Sequence, residues 1–114
     1  MAFNETGLQK IQKEVGALCR KKSSEALDDQ LRFDYKIEKY DVIIYEIRPR
    51  WDNPSEITEM PIAKLTFVLS RNIWKLSWQR ANGKWVRYKP KESSKDLSDL
   101  TRAIESDAQG CFFE

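Results

Sequence analysis

Ile73-Trp-Lys-Leu-Ser-Trp-Gln-Arg-Ala-Asn-Gly-Lys-Trp-Val-Arg-Tyr88 is the stretch whose register decides the fold. Asn82-Gly83 separates two runs of alternating character. Such a pair is a strong hairpin signal, because the turn needs positive φ and these residues tolerate it. Two registers compete. A two-residue loop sets Arg80 opposite Trp85 and Trp78 opposite Arg87. A three-residue loop, Ala81-Asn82-Gly83 with Gly83 in a bulge, sets Gln79 opposite Trp85 and Trp78 opposite Val86. A slip of one residue moves every side chain of the last strand to the other face.

The preceding strand arbitrates. Ala63, Leu65, Phe67 and Leu69 alternate with Ile62, Lys64, Thr66 and Val68, so the first set reads as buried. A tight turn at Arg71-Asn72 pairs Leu69 with Trp74, Phe67 with Leu76 and Leu65 with Trp78, which makes Trp74, Leu76 and Trp78 core. The two-residue loop would then drive Arg87 into that core, and burying an unpaired charge is costly. The three-residue loop is therefore expected. It places Val86 and Tyr88 inside, and Trp85, Arg87 and Lys89 outside.

Working outward, Leu31, Phe33, Tyr35 and Ile37 alternate with Arg32, Asp34, Lys36 and Glu38 as a half-buried strand. Lys39-Tyr40-Asp41 turns the chain. A second strand runs from Val42 to Arg50 with Ile43, Tyr45 and Ile47 expected inside, leaving Val42, Ile44, Glu46, Arg48 and Arg50 on the other face. Pro49 suggests an edge, a bulge or the end of regular pairing. Residues 51–61 read as a loop, long for a hairpin and so a candidate for function or mobility.

Residues 6–22 read as an amphipathic helix with Leu8, Ile11, Val15 and Leu18 on one stripe and Thr6 with Gln9 as a capping box. Its basic end, Arg20-Lys21-Lys22, suits the negative end of the helix dipole. Residues 23–30 form a polar connector. A second helix is expected over 96–108, with Leu97, Leu100 and Ile104 on one stripe, Ser94 or Asp96 as N-cap and Gly110 at the C-terminal cap. Cys111, Phe112 and Phe113 form an apolar tail that should dock on the core. The fold class is α+β. One domain, 1–114, holds an antiparallel meander of about five strands, with N-terminal and C-terminal helices packed on one face.

Composition bounds the function. The chain has 114 residues, 33% of them charged and 40% hydrophobic, as expected of a soluble globular domain. No apolar run approaches a membrane span of about 20 residues. The N-terminus lacks a signal-peptide pattern, so the expected location is cytoplasmic, with no membrane partner. There is no histidine, and the two cysteines, Cys19 and Cys111, are expected to be reduced structural thiols. Zinc and EF-hand spacings are absent, as is a nucleotide-binding glycine loop. No metal, cofactor or catalytic residue is assigned.

The net charge of +2 hides an uneven distribution. From Pro61 to Pro90 there are seven Lys or Arg and no acid, whereas residues 31–60 carry five basic and seven acidic side chains. In a meander with these faces, Arg48, Arg50, Lys64, Gln79 and Trp85 converge on one end of the outer face. Glu46 and Arg87 lie one step further in, and Trp51 opens the long loop at the same end. Guanidinium groups recognise carboxylate or phosphate, and an exposed Trp can stack a ring or a cation. The competing structural reading is that Glu46 pairs Arg48 or Lys64, that Asp52, Glu56 and Glu59 neutralise the rest, and that Trp85 packs under the loop.

Five segments carry a resemblance: Glu46-Ile-Arg-Pro-Arg-Trp51, Pro61-Ile-Ala-Lys64, Trp78-Gln-Arg-Ala81, Lys84-Trp85 with Tyr88 and Pro90, and Gly110-Cys-Phe-Phe113. The chain resembles a small bacterial family, domain-of-unknown-function family 3024, over nearly its whole length. The resemblance implies a stand-alone bacterial domain near this size and transfers no activity. The expected function is a non-catalytic binding module for an anionic partner, nucleic acid or an acidic protein surface. One alternative is an enzyme on a small anionic substrate, with Glu46 as base and Arg48, Arg50 and Lys64 as clamps. Another is a structural or self-association role, including a homodimer, through an edge strand or the outer face.

Overall fold

The computed structural model describes residues 3–25, 31–107 and 110–112. Helix α1 spans Glu5–Glu25. Strands β1 (Arg32–Glu38), β2 (Asp41–Pro49), β3 (Ile57–Val68), β4 (Ile73–Gln79) and β5 (Trp85–Arg87) follow. A 3-10 turn at Lys89–Lys91, a two-residue strand β6 (Ser93–Ser94) and helix α2 (Leu97–Ser106) complete the chain. The sheet is an antiparallel meander in the order β1-β2-β3-β4-β5, and β6 returns to the same edge of β4. Both helices cover one face. Ile11, Val15, Leu18 and Cys19 of α1 and Leu97, Leu100 and Ile104 of α2 share a core with Val42, Ile44, Leu65, Trp74, Leu76 and Tyr88.

The bulged hairpin is present. Gln79 faces Trp85 and Trp78 faces Val86. Gly83 has φ 85°, and its N–H donates to Arg80 O at 2.8 Å. The β3–β4 turn is longer than expected, with Asn72 at φ 52°. Phe67 therefore pairs with Trp74, Leu65 with Leu76 and Ala63 with Trp78. The shift of two residues preserves the faces but leaves Leu69 exposed instead of buried.

Strand β2 reverses the expected parity. Val42 and Ile44 point to the helices, where they meet Ile37 and Tyr35 across the ladder, so Ile43, Tyr45 and Ile47 face the other way. The apolar run Val42-Ile43-Ile44-Tyr45 gives no alternation to read. The two-residue loop Lys39-Tyr40, with Lys39 at φ 54°, fixes the phase instead. Ile43 and Ile47 are nonetheless buried. Lys36 and Lys64 flank Ile43, and Arg32 and Glu59 flank Ile47, so long aliphatic stems stand beside both.

The expected 51–61 loop is shorter, because β3 begins at Ile57. Between β2 and β3 the register jumps from Ile44–Ala63 to Tyr45–Pro61, so Ile62 is the extra residue of a bulge. Pro61 is tolerated because β4 reaches β3 only from Ala63 onward. The start of β3 thus pairs with β2 alone, and its other edge has no strand partner among the described residues.

Caps also differ from expectation. Asn4, not Thr6, caps α1, its Oδ1 accepting from the Gly7 N–H at 2.8 Å. Phe3 beside it stacks on Trp74, with centroids 5.6 Å apart, which fixes where the helix starts. Asp96 caps α2, accepting from the Ser98 N–H. Hydrogen bonds from Ser98 hold the Asp96 carboxyl below its usual range. At the other end Asp107, in the left-handed region, replaces Gly110 as C-cap. Part of the 23–30 connector, the expected end of α2 at 108, and Phe113 lie outside the described residues. Phe112 is buried with its ring 4.9 Å from that of Tyr88.

Two stability outcomes follow from this packing. Gly83→Val should lose about 1–3 kcal/mol, since a β-branched residue resists positive φ, whereas Lys84→Ala should change stability by less than about 0.5 kcal/mol. Equal denaturation midpoints would contradict the hairpin geometry. Phe112→Ala should lose about 3–5 kcal/mol by cavity formation, read from urea unfolding.

Candidate functional site

Alternation along β2 to β5 gives the sheet face away from the helices a definite set of side chains. Ile43, Lys64, Ser77 and Arg87 form one row across four strands. Asp41, Thr66, Lys75 and Ser93 form the next. Gln79 and Trp85 stand at the hairpin end. Within this grid the Lys64 Nζ lies 4.9 Å from the centre of the Trp85 ring, a cation–π contact. Arg87 donates from Nη1 to Ser77 Oγ at 3.3 Å, which aims its guanidinium along the face. Gln79 Nε2 donates to Gly83 O at 3.1 Å, tying the hairpin tip down. Trp85 is half-buried on this outer side, while Trp74 is buried and Trp78 half-buried against the core.

Four of the eight residues expected in one constellation therefore assemble: Lys64, Gln79, Trp85 and Arg87. Glu46 and Arg48 do not join them. The phase of β2 puts both on the helix side of the sheet, beyond the edge of the core, where they form an ion pair with each other. Arg50 is held in the β2–β3 loop. Its Nη2 lies 2.8 Å from Asp52 Oδ2, and its Nη1 lies 3.0 Å from Glu56 Oε2. Trp51 is 94% exposed and packs under nothing. The structural alternative thus accounts for Glu46, Arg48 and Arg50. It fails for Trp85, which lies beneath a lysine and not beneath the loop.

Lys36 pairs with Glu59 at 3.0 Å, and that hydrogen bond holds Lys36 above its usual range. Lys36 also lies 4.9 Å from the Tyr45 ring centre, so the β1 side of the outer face is charge-balanced. On the β4 side, Lys64, Arg71, Lys75 and Arg87 make no ion pair with any described carboxylate. The sequence counts Arg71 and Lys75 in its basic run, but the expected constellation includes neither of them nor Ser77. Lys75 and Ser77 share the parity of Gln79 within β4, and that signal could have placed both on this face.

Neither thiol adds a nucleophile. Cys19 and Cys111 are free, and burial pushes the Cys19 thiol up to about 12. Burial raises Cys111 as well, so both are thiols and not thiolates near neutral pH. Among the described residues, no three His, Cys, Asp or Glu side chains could hold a metal ion. No described helix is long and apolar enough to cross a membrane.

No curated protein and no solved structure matches the chain. A family profile matches residues 3–114, essentially the whole sequence. With that coverage, the chain belongs to the family described as Domain of unknown function (DUF3024).

Proposed function

We propose that this domain is a non-catalytic binding module that takes an anionic partner, nucleic acid or an acidic protein surface, on the outer face at β3–β5. The observation that carries the reading is that four cations without ion pairs to described carboxylates, Lys64, Arg71, Lys75 and Arg87, gather on one part of one sheet face, on neighbouring strands and the turn beside them. An anion arriving there meets positive groups that need not first release an internal partner. Neutralising phosphates would also release their condensed counterions, a favourable term at low salt. Trp85 adds a surface on which a base can stack opposite the Lys64 ammonium. A cytosolic setting, with its abundant polyanions, is part of the proposal. The enzymatic alternative draws no support from the geometry, because Glu46 engages Arg48 on one side of the sheet and Lys64 lies on the other.

A second reading, self-association, is favoured by the open edge at the start of β3. The start of β3 and the loop before it carry exposed Trp51, Ile57 and Met60. A homodimer formed there would be resistant to salt, unlike anion binding at the face.

Fluorescence anisotropy with single-stranded oligonucleotides at low and moderate salt tests the first reading. Lys64→Ala and Arg87→Ala should weaken binding and lower the salt slope by about one phosphate contact each. Trp85→Ala should cost about 1–3 kcal/mol for a base-bearing polymer and little for one without rings. Arg48→Ala, on the opposite face, should bind as the wild type does. Absence of binding to any polyanion at low salt would remove the nucleic-acid arm and leave an acidic protein surface or self-association.

A further inference from the structure

The strand lane beside β4 is broken, and the break makes a recess. β5 ends at Arg87, the chain turns through the 3-10 segment, and β6 resumes against the same strand at Ser93. Tyr88 leaves the lane by turning into the core, where it is buried. On the outer face the gap becomes a cavity of about 270 Å³, lined by Arg71, Ile73, Lys75, Arg87, Glu92 and Ser93. Lys75 lies on β4 opposite Ser93, Arg87 hangs from β5 one step along, and Arg71 reaches in from the β3–β4 turn.

We infer that this cavity binds a phosphoryl group, either as the free anion or as part of a polynucleotide. The inference rests on the reading of the outer face as anion-binding and names the chemistry of one place within it. Three cations converge on one recess, and none makes an ion pair with a described carboxylate. Even Glu92, which borders the recess, pairs with none of them. Like charges gathered in a concavity repel one another, and a multiply charged oxyanion relieves that repulsion in a way that chloride does poorly. Arg71 and Arg87 supply planar forks suited to two oxygens of a tetrahedral anion, and Lys75 supplies a point charge. The Ser93 hydroxyl makes no hydrogen bond with a described residue and is a further donor.

Size and spacing narrow the ligand. The cavity falls just below the roughly 300–1,000 Å³ of pockets that enclose whole drug-sized molecules, so it suits a charged group and its waters. Trp85 and Arg87 lie two residues apart on the same side of β5, about 6.6–6.8 Å by strand rise. A phosphate beside Arg87 thus lies within one nucleotide's reach of a ring stacked on Trp85. Glu92 borders the recess with a charge of the same sign as the ligand, so its removal should strengthen binding.

The test uses the isotope-labelled full chain and two-dimensional NMR. Inorganic phosphate is titrated at constant ionic strength against chloride. Saturable shifts are expected at the backbone amides of Lys75, Arg87 and Ser93 and at the arginine Nε–H groups. Arg71→Ala and Lys75→Ala should each weaken phosphate about tenfold, Glu92→Gln should tighten it roughly threefold, and Arg48→Ala, on the opposite face, should leave it unchanged. A second arm compares oligothymidylates with and without a terminal phosphate. Preference for the phosphorylated end assigns the cavity to terminal phosphates, and equal affinity, lowered by Lys75→Ala, assigns it to internal ones. Phosphate shifts without oligonucleotide binding would keep the cavity and end the polymer reading. Oligonucleotide binding that Lys64→Ala weakens but Arg71→Ala and Lys75→Ala do not would overturn this inference alone. Absence of shifts around Ser93 with inorganic phosphate and with both oligonucleotides would also overturn it.

Discussion

Gly83, held in the left-handed region, sets the parity of everything that follows the hairpin. The residue it adds to the turn moves Val86 and Tyr88 toward the helices and sends Trp85 and Arg87 the other way. With one residue fewer, Arg87 would enter a core in which no described carboxylate awaits it, and an unpaired buried charge costs several kcal/mol after relaxation. The same step carries Tyr88 inward, where it receives Phe112 and so docks the end of the described chain. A single backbone conformation therefore governs the completion of the core and the composition of the basic face.

The two faces of the sheet solve different problems with the same alternation. The helix-covered face gains stability from apolar area removed from water. No layer of described residues lies above the open face, yet Ile43 and Ile47 there are buried. Lysine and arginine provide the cover by laying aliphatic stems beside these residues while keeping their charges hydrated. Lys36 and Lys64 flank Ile43 in this way. Positive charge on this face thus costs the fold little.

What the sequence disclosed depended on contrast between neighbours. Around Trp74 to Val86, apolar and polar residues alternate, and the faces could be read directly. In Val42-Ile43-Ile44-Tyr45 both parities are apolar, so periodicity was silent and the phase came out reversed. The reversed phase is what separates Glu46 and Arg48 from the outer face. The Ile62 bulge was hidden for a similar reason, since Ile62 and Ala63 are both apolar and both buried. Local ion pairing was legible: Arg50 with Asp52 and Glu56 follows from proximity along the chain. The corner recess was not, because it arises from a strand lane that breaks and resumes, a tertiary event marked in the sequence only by Pro90.

The break also gives Leu76 an unusual position. Its N–H donates to Glu92 O at 2.9 Å, and its carbonyl accepts from the Tyr88 N–H at 3.0 Å, so one residue clasps the chain on both sides of the interruption. The segment between carries Lys89, Pro90 and Lys91 and has no ladder of its own. Trp85 and Arg87 lie on one side of this clasp, and Ser93 with the approach to α2 on the other. Opening it would let both sides leave together, making the outer lane and the C-terminal helix one unit of subglobal unfolding. If the proposed ligand spans the gap, hydrogen exchange in α2 would become a remote gauge of occupancy on the opposite face of the sheet, slowed in a helix that the ligand never touches.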